Sequence, residues 1–84
     1  MLKTVPTRQP DFEELRFALM RLRKVNGLTL DDLAERSGVG RRTLVQLESG
    51  KSNGSIETWF ALAETFDITI GEMLAPLYGP RRER

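Results

Sequence analysis

The spacing of apolar residues along the chain indicates a series of short amphipathic helices. In residues 11–27, apolar side chains recur at steps of three and four, which is the period of a helix with one buried face. Asp11 can cap the start of this helix, and Asn26-Gly27 can end it in a left-handed turn. We therefore predict a core-facing first helix, with a buried stripe made of Phe12, Leu15, Leu19, Leu22 and Val25.

A second and a third helix are predicted on either side of a glycine turn. Thr29 is an N-cap residue with Asp32 three positions later, a capping-box spacing that starts a helix over 29–36. Because glycine tolerates positive φ, Gly38-Val39-Gly40 suits a sharp turn before a third helix over 41–47, which Ser49-Gly50 ends. The residues expected to hold this unit to the core are Leu33, Ala34, Val39, Leu44 and Leu47.

Two further helices complete the predicted fold. Ser55 caps a helix over 56–66, whose apolar stripe is Ile56, Trp59, Leu62, Ala63 and Phe66. Thr69 and Glu72 form a capping box for a short fifth helix over 70–75, which ends at Pro76. The pattern thus predicts one all-α domain over 11–77, between a flexible arm, 1–10, and a basic tail, 78–84.

Composition narrows the function classes. The 84 residues are 39% hydrophobic and 30% charged, typical of a globular domain, and no apolar run approaches the roughly 18 residues of a membrane span. We therefore expect a cytoplasmic protein that contacts no membrane. The absence of Cys and His removes thiol chemistry, zinc fingers and the usual general base. Gly50-Lys51-Ser52 matches the end of a phosphate-binding loop, but Val45 stands where its first glycine is required. We expect no enzyme, metal or cofactor.

Charge is distributed unevenly, although the net charge is only +1. Residues 36–54 contain four cations against Glu48 alone, whereas residues 55–75 contain four acids and no cation. A protein that approaches phosphates with one face has this distribution. The arm, with Lys3 and Arg8, is either a disordered terminus or a basic arm that follows the DNA backbone or minor groove.

The predicted third helix displays side chains that can read bases. Its outer face holds Arg41, Arg42, Val45 and Gln46. Arginine can donate two hydrogen bonds to guanine O6 and N7, and glutamine can pair with adenine N6 and N7. A phosphate contact stays open for each arginine. Glu48 would repel phosphates and the helix C-terminus, so we predict that it turns inward to Arg23.

Residues 22–51, LRKVNGLTLDDLAERSGVGRRTLVQLESGK, and 55–74, SIETWFALAETFDITIGEML, together resemble a known family. This is the lambda-repressor-like helix-turn-helix family, of the Cro and phage-repressor type, also called the xenobiotic-response-element family. The resemblance implies a compact five-helix domain with the motif at helices two and three, a transcriptional regulator or repressor that binds a palindromic operator as a homodimer. The family's base-reading positions fall on Arg41, Arg42, Val45 and Gln46.

The resemblance also implies contacts to the DNA backbone. These fall on Thr29, Gly40, Thr43, Lys51, Ser52 and Asn53, and a buried ion pair common in the family falls on Arg23 and Glu48. Three positions depart from the family. Leu30 replaces a frequent glutamine, Gly40 replaces serine or threonine, and Gly54 replaces proline. The first two departures weaken the expected phosphate contacts.

Apolar residues outside the core stripes suggest a self-association surface. Phe60, Met73, Leu77 and Tyr78 are candidates for a two-fold interface, and the alternative is that they complete the monomer core. A second functional hypothesis is an antitoxin-type module that binds a protein partner and its own promoter. Co-purification of a second protein would distinguish this module from a plain DNA-binding regulator.

Overall fold

The computed structural model describes residues 9–79, which form five α-helices and a closing 3-10 helix. The helices are α1 (Phe12–Val25), α2 (Leu30–Ser37), α3 (Arg41–Ser49), α4 (Ile56–Thr65) and α5 (Ile70–Leu74), followed by the C-terminal 3-10 helix (Ala75–Tyr78). The predicted five-helix all-α fold is confirmed. Most of the predicted arm, 1–10, and of the predicted tail, 78–84, lies outside the described residues.

Helix starts follow the predicted caps. The Asp11 carboxylate accepts a hydrogen bond from the Glu14 amide at 3.0 Å. The Thr29 hydroxyl accepts from the Asp32 amide, and the Asp32 carboxylate accepts from the Thr29 amide, both at 3.0 Å. Ser55 caps α4, and Thr69 forms the second capping box at α5. Side-chain acceptors thus satisfy amides that the first helical turn leaves unpaired.

The core is a single cluster to which every α-helix contributes. Its most buried residues are leucines of α1, α2, α3 and α4, joined by Trp59 and Met73. Two residues of the predicted stripes lie outside it. Val25 is 82% exposed, because at 3.6 residues per turn it falls about 80° around α1 from Leu15. Ile56 is also exposed, because it occupies the first position of α4, where no neighbouring helix covers it.

The end of the described chain packs against its beginning. The Asp11 amide donates to the Leu77 carbonyl at 2.8 Å, and the 3-10 helix contacts α1. The sequence pattern does not predict this helix as a separate element, because Pro76 indicates only the end of α5. Pro76 occupies one of its first two positions, where a missing amide is tolerated. Within residues 9–79, no helix is both long and apolar enough to span a membrane.

The predicted interface residues divide into two groups. Met73 is fully buried in the core, so its assignment to a two-fold interface was wrong. It faces inward because α5 packs against α4 along this side. Leu77 is half-buried against the same core. Phe60 and Tyr78 are largely exposed. The alternative of completing the monomer core therefore applies to Met73 and in part to Leu77.

Candidate nucleic-acid interface

The turn between α2 and α3 sets the angle at which α3 is presented. Gly38 ends α2 in the left-handed conformation, with φ of 77°, and its amide donates to the Ala34 carbonyl at 2.9 Å. Ser37 stabilises the turn, since its hydroxyl donates to the Leu33 carbonyl and accepts from the Val39 amide. Gly40 is extended and α3 begins at the next residue. This is the sharp glycine turn that the sequence predicted.

The two faces of α3 differ sharply in exposure. Leu44 and Leu47 are buried in the core. Arg41, Arg42 and Val45 are exposed, and Gln46 is half-buried. Core packing therefore uses one side of this nine-residue helix, and the other side presents two cations, one amide and one branched apolar side chain to solvent.

The acidic residue of α3 is turned away from this exposed face. Glu48 forms a two-pronged ion pair with Arg23 of α1, with Arg23 Nε 2.8 Å from Oε2 and Nη2 2.9 Å from Oε1. The two side chains are only 13% and 9% exposed. Arg23 Nη1 also donates to the Leu28 carbonyl at 3.1 Å. The predicted pair thus forms, and it joins α1, the loop after α1, and α3.

The N-terminus of α3 is not capped by any side chain of residues 9–79. Gly40, at the N-cap position, has no side chain that could accept from the first amides of the helix. These amides and the positive end of the helix dipole favour an anion at this point. The exposed guanidinium groups of Arg41 and Arg42 add two full positive charges beside them.

The loop after α3 continues the polar surface. Gly50 ends α3 with φ of 83°, and the amides of Lys51 and Ser52 donate to the Gln46 carbonyl. Lys51 is exposed. The Ser52 hydroxyl accepts from the Gly54 amide at 3.1 Å, and the Asn53 carbonyl accepts from the Trp59 indole at 2.8 Å. The loop backbone is therefore fixed to the core, while its side chains stay at the surface.

Arg16 of α1 approaches this same loop and was not anticipated. A Cβ placed on Gly50 would lie 2.9 Å from Arg16 Nη1, so the guanidinium is directly against the C-terminal turn of α3. A cation is favourable there because unpaired carbonyls make that end of the helix negative. The sequence placed Arg16 off the core stripe but gave no sign of which helix end it would meet.

The start of α2 borders the start of α3. Thr29, Asp31 and Arg41 line a shallow hollow of about 410 Å³ between the loop after α1 and the two helices. Within it, Nε of Arg41 lies 2.8 Å from the Asp31 carboxylate. Asp31 and Asp32 both lie in the first turn of α2, where an acid complements the positive end of the helix. Asp32 caps its own helix through Thr29, whereas Asp31 pairs across to α3. Ten positions separate the partners in sequence, so only the helix crossing reveals the contact.

These contacts shift the pKa of two ionisable groups, Asp32 and Arg23. The hydrogen bond from the Thr29 amide lowers the pKa of Asp32 below its ordinary value of 3.8. The hydrogen bonds to Glu48 raise the pKa of Arg23, which therefore stays charged. Both shifts stabilise charged groups that organise the scaffold. Among residues 9–79, no group of carboxylates has the arrangement of a metal site.

Known proteins are similar to this chain in sequence. A family model described as helix-turn-helix matches residues 19–73. An uncharacterised HTH-type transcriptional regulator of Methanocaldococcus jannaschii is 35% identical over 51 residues, which span 61% of this chain and 77% of that protein. The HTH-type transcriptional regulator DdrOP3 of Deinococcus deserti is 39% identical over 56 residues, which span 67% of this chain and 43% of that protein.

Solved structures give the same result. The structure described as the master regulator for biofilm formation SinR in complex with DNA matches with a TM-score of 0.66 and 26% identity, covering 71% of this chain and 97% of that chain. The SinR–SinI protein complex matches with a TM-score of 0.67 and 26% identity, and the match spans 59% of that chain and 71% of this one. An HTH_3 family transcriptional regulator from Vibrio cholerae matches with a TM-score of 0.68 and 32% identity, covering 76% of this chain and 36% of that chain.

Proposed function

The chain belongs to the helix-turn-helix family of DNA-binding transcriptional regulators, and from this premise we propose that it binds specific sequences in double-stranded DNA. In this proposal α3 lies in the major groove, and Arg41, Arg42, Val45 and Gln46 contact base edges. The observation that carries the proposal is the division of α3 into a buried leucine face and an exposed Arg-Arg-Val-Gln face. The inward turn of Glu48 supports it, because the one acid of α3 is removed from the groove side.

Backbone contacts would position α3 in the groove. Phosphates would meet the uncapped start of α3 at Gly40, the hydroxyls of Thr29 and Thr43, and the loop of Lys51, Ser52 and Asn53. The rigid attachment of this loop through Trp59 supports the assignment, since phosphate contacts fix the register of a protein on the duplex. Such contacts carry no sequence information by themselves.

We propose that two copies bind a palindromic operator with half-sites about 34 Å apart. Phe60 and Tyr78 leave apolar surface exposed outside the core. An apolar hollow of about 580 Å³ lies beside the 3-10 helix and is lined in part by Leu74, Leu77 and Tyr78. Sedimentation at micromolar concentration tests the dimer. Tyr78→Ser should weaken a dimer, and a wild-type chain that stays monomeric with and without DNA would contradict it.

A second candidate function is an interaction module of the antitoxin type, which would bind a protein partner as well as its own promoter. The solved SinR–SinI complex supports this candidate, because in that structure a protein with a similar fold is in complex with another protein. Stoichiometric co-purification of one protein from the native host would support this role. DNA binding of full affinity by the chain alone, with no such partner recovered, would favour the plain regulator.

Selection from a random pool of duplexes by the purified chain tests the proposed function directly. We expect a short enriched sequence with two-fold symmetry, which also gives the half-site spacing. Recovery of duplexes without any common sequence would overturn the proposal. A single enriched half-site would keep base reading and reject the symmetric dimer.

Individual roles of the cations can then be separated on the enriched duplex. Arg42→Ala should no longer distinguish the four base pairs at one position of the site, while its preference at the other positions stays unchanged. If affinity instead falls equally for all single-base variants of the duplex, Arg42 contacts a phosphate. Lys51→Ala should reduce the dependence of log K on log salt by about 1. Arg21→Ala, which removes a charge from the exposed side of α1, is the matched control and should leave that dependence unchanged.

A further inference from the structure

The ion pair between Asp31 and Arg41 links the first turn of α2 to the first residue of α3. Arg41 Nε lies 2.8 Å from Asp31 Oδ1, and the two side chains are 59% and 79% exposed. The neighbouring Arg42 has no carboxylate within ion-pair distance among residues 9–79. The two arginines that the sequence presents as equivalent are therefore held differently.

The contact with Asp31 leaves the two terminal nitrogens of the Arg41 guanidinium, Nη1 and Nη2, available to a base. The contact uses Nε, and no hydrogen bond within residues 9–79 uses the Arg41 Nη1 or Nη2 groups. These two groups carry four of the five N–H donors of an arginine. Guanine requires two donors, one for O6 and one for N7. Arg41 can thus keep its contact to Asp31 while it donates to a guanine.

Two physical effects follow from this contact. An arginine loses much rotamer freedom when it binds, and a partner that already fixes its side chain reduces that loss. In addition, the Asp31 carboxylate offsets the charge of Arg41 and repels nearby phosphates, so it weakens attachment to DNA of any sequence. One effect favours the correct base, and the other disfavours all sequences equally.

We propose that Asp31 is a specificity-determining residue, which positions Arg41 on one guanine and weakens its use as a general phosphate contact. This inference rests on the proposed function, since it assumes that α3 reads bases. It separates the two arginines by how they are held: Asp31 positions Arg41 toward one base, whereas within residues 9–79 no carboxylate positions Arg42. Asp31 itself touches the arginine and acts only through it.

The test compares Asp31→Asn with a matched control, Glu35→Gln, which removes one charge from an exposed position of the same helix. Each protein is titrated with the duplex selected by the wild type, with its single-base variants and with a random duplex. Asp31→Asn should bind the random duplex more tightly, with a salt dependence steeper by about 1. It should also lose about two- to fivefold discrimination at one G·C pair, the range that an exposed ion pair can contribute.

The control should leave discrimination unchanged at every base pair, because a change in charge alone acts on all duplexes equally. Arg41→Ala should lose discrimination at the same pair, and adding Asp31→Asn to Arg41→Ala should cause no further loss there. Trp59 fluorescence confirms that each variant is folded, and Asp31→Ala replaces Asp31→Asn if the latter is not. Equal discrimination by Asp31→Asn and wild type would overturn the inference. A wild type that discriminates no sequence would instead overturn the proposed function.

Discussion

Glu48→Ala should destabilise the domain far more than the loss of a surface acid would. Within residues 9–79, Glu48 is the only carboxylate that pairs with Arg23, and the two side chains are largely buried. Removing it leaves a guanidinium largely desolvated, with the Leu28 carbonyl as its remaining hydrogen-bond acceptor. Breaking such a pair costs about 3–5 kcal/mol. A chain of 84 residues has a total stability of about 4–13 kcal/mol, so the variant should lose a large fraction of its free energy of unfolding.

Replacement of both partners separates the cost of a buried unpaired charge from the value of the pair itself. Arg23→Met combined with Glu48→Leu removes both charges and keeps apolar volume between α1 and α3. This double variant should be closer to wild type than Glu48→Ala is, because apolar substitutes for buried pairs are often neutral or stabilising. The Leu28 carbonyl would still lose its donor, which costs about 1 kcal/mol.

Urea unfolding followed by the fluorescence of Trp59 measures these differences, since it is the single tryptophan and is buried in the core. Glu35→Ala is the control, because it removes an exposed acid from α2 and should change the free energy of unfolding by less than about 0.5 kcal/mol. A Glu48→Ala variant as stable as this control would refute the reasoning. So would a double variant less stable than Glu48→Ala.

Three further predictions concern the turns and caps. Gly54→Ala should destabilise the domain and shift Trp59 fluorescence. The reason is that φ of Gly54 is +79° and a Cβ there would lie 2.8 Å from both Leu47 Cδ2 and Trp59 Nε1. An unchanged urea midpoint would contradict this. Gly40→Ser should instead raise the free energy of unfolding by about 0.5–1 kcal/mol in the same assay. The φ of Gly40 is negative, a Cβ there meets no close neighbour, and a serine hydroxyl could cap α3. A lowered urea midpoint would contradict this. Asp32→Asn should reduce stability at neutral pH: the pKa of Asp32 is lowered in the folded state, so its contribution is present above pH 3.8 and is lost as pH falls through the folded pKa. Urea midpoints that differ equally at neutral and strongly acidic pH would contradict this.

Local signals in the sequence were sufficient for the five α-helices and their starts, but not for the 3-10 helix. An N-cap side chain accepts a hydrogen bond from an amide only two or three residues later in the chain. The cap therefore depends on no contact between helices. The apolar stripes placed the core correctly where a helix is covered along its length. They failed at Val25, which lies about 80° around α1 from Leu15, and at Ile56, because periodicity does not say whether a neighbouring helix covers the first turn of α4.

Contacts between helices were predictable only where a physical conflict demanded a partner. Glu48 lies near a helix C-terminus and beside the predicted DNA-binding face, where an acid is unfavourable, so an inward partner on α1 could be inferred. The Asp31–Arg41 and Arg16–Gly50 contacts carry no such conflict. Both depend on the crossing of two helices. Met73 is a further example: an apolar residue of α5 can be buried or exposed according to how that helix packs, and the sequence does not determine the packing.

The central claim is that the outer face of α3 selects the DNA sequence. Its most direct test repeats the selection from random duplexes with a variant in which two outer residues are replaced, Val45→Thr and Gln46→Lys, and the scaffold is untouched. Because these side chains do not form the core, the variant should fold, and its enriched sequence should differ from that of wild type at one or two positions per half-site. Enrichment of the wild-type sequence by the variant would contradict the claim.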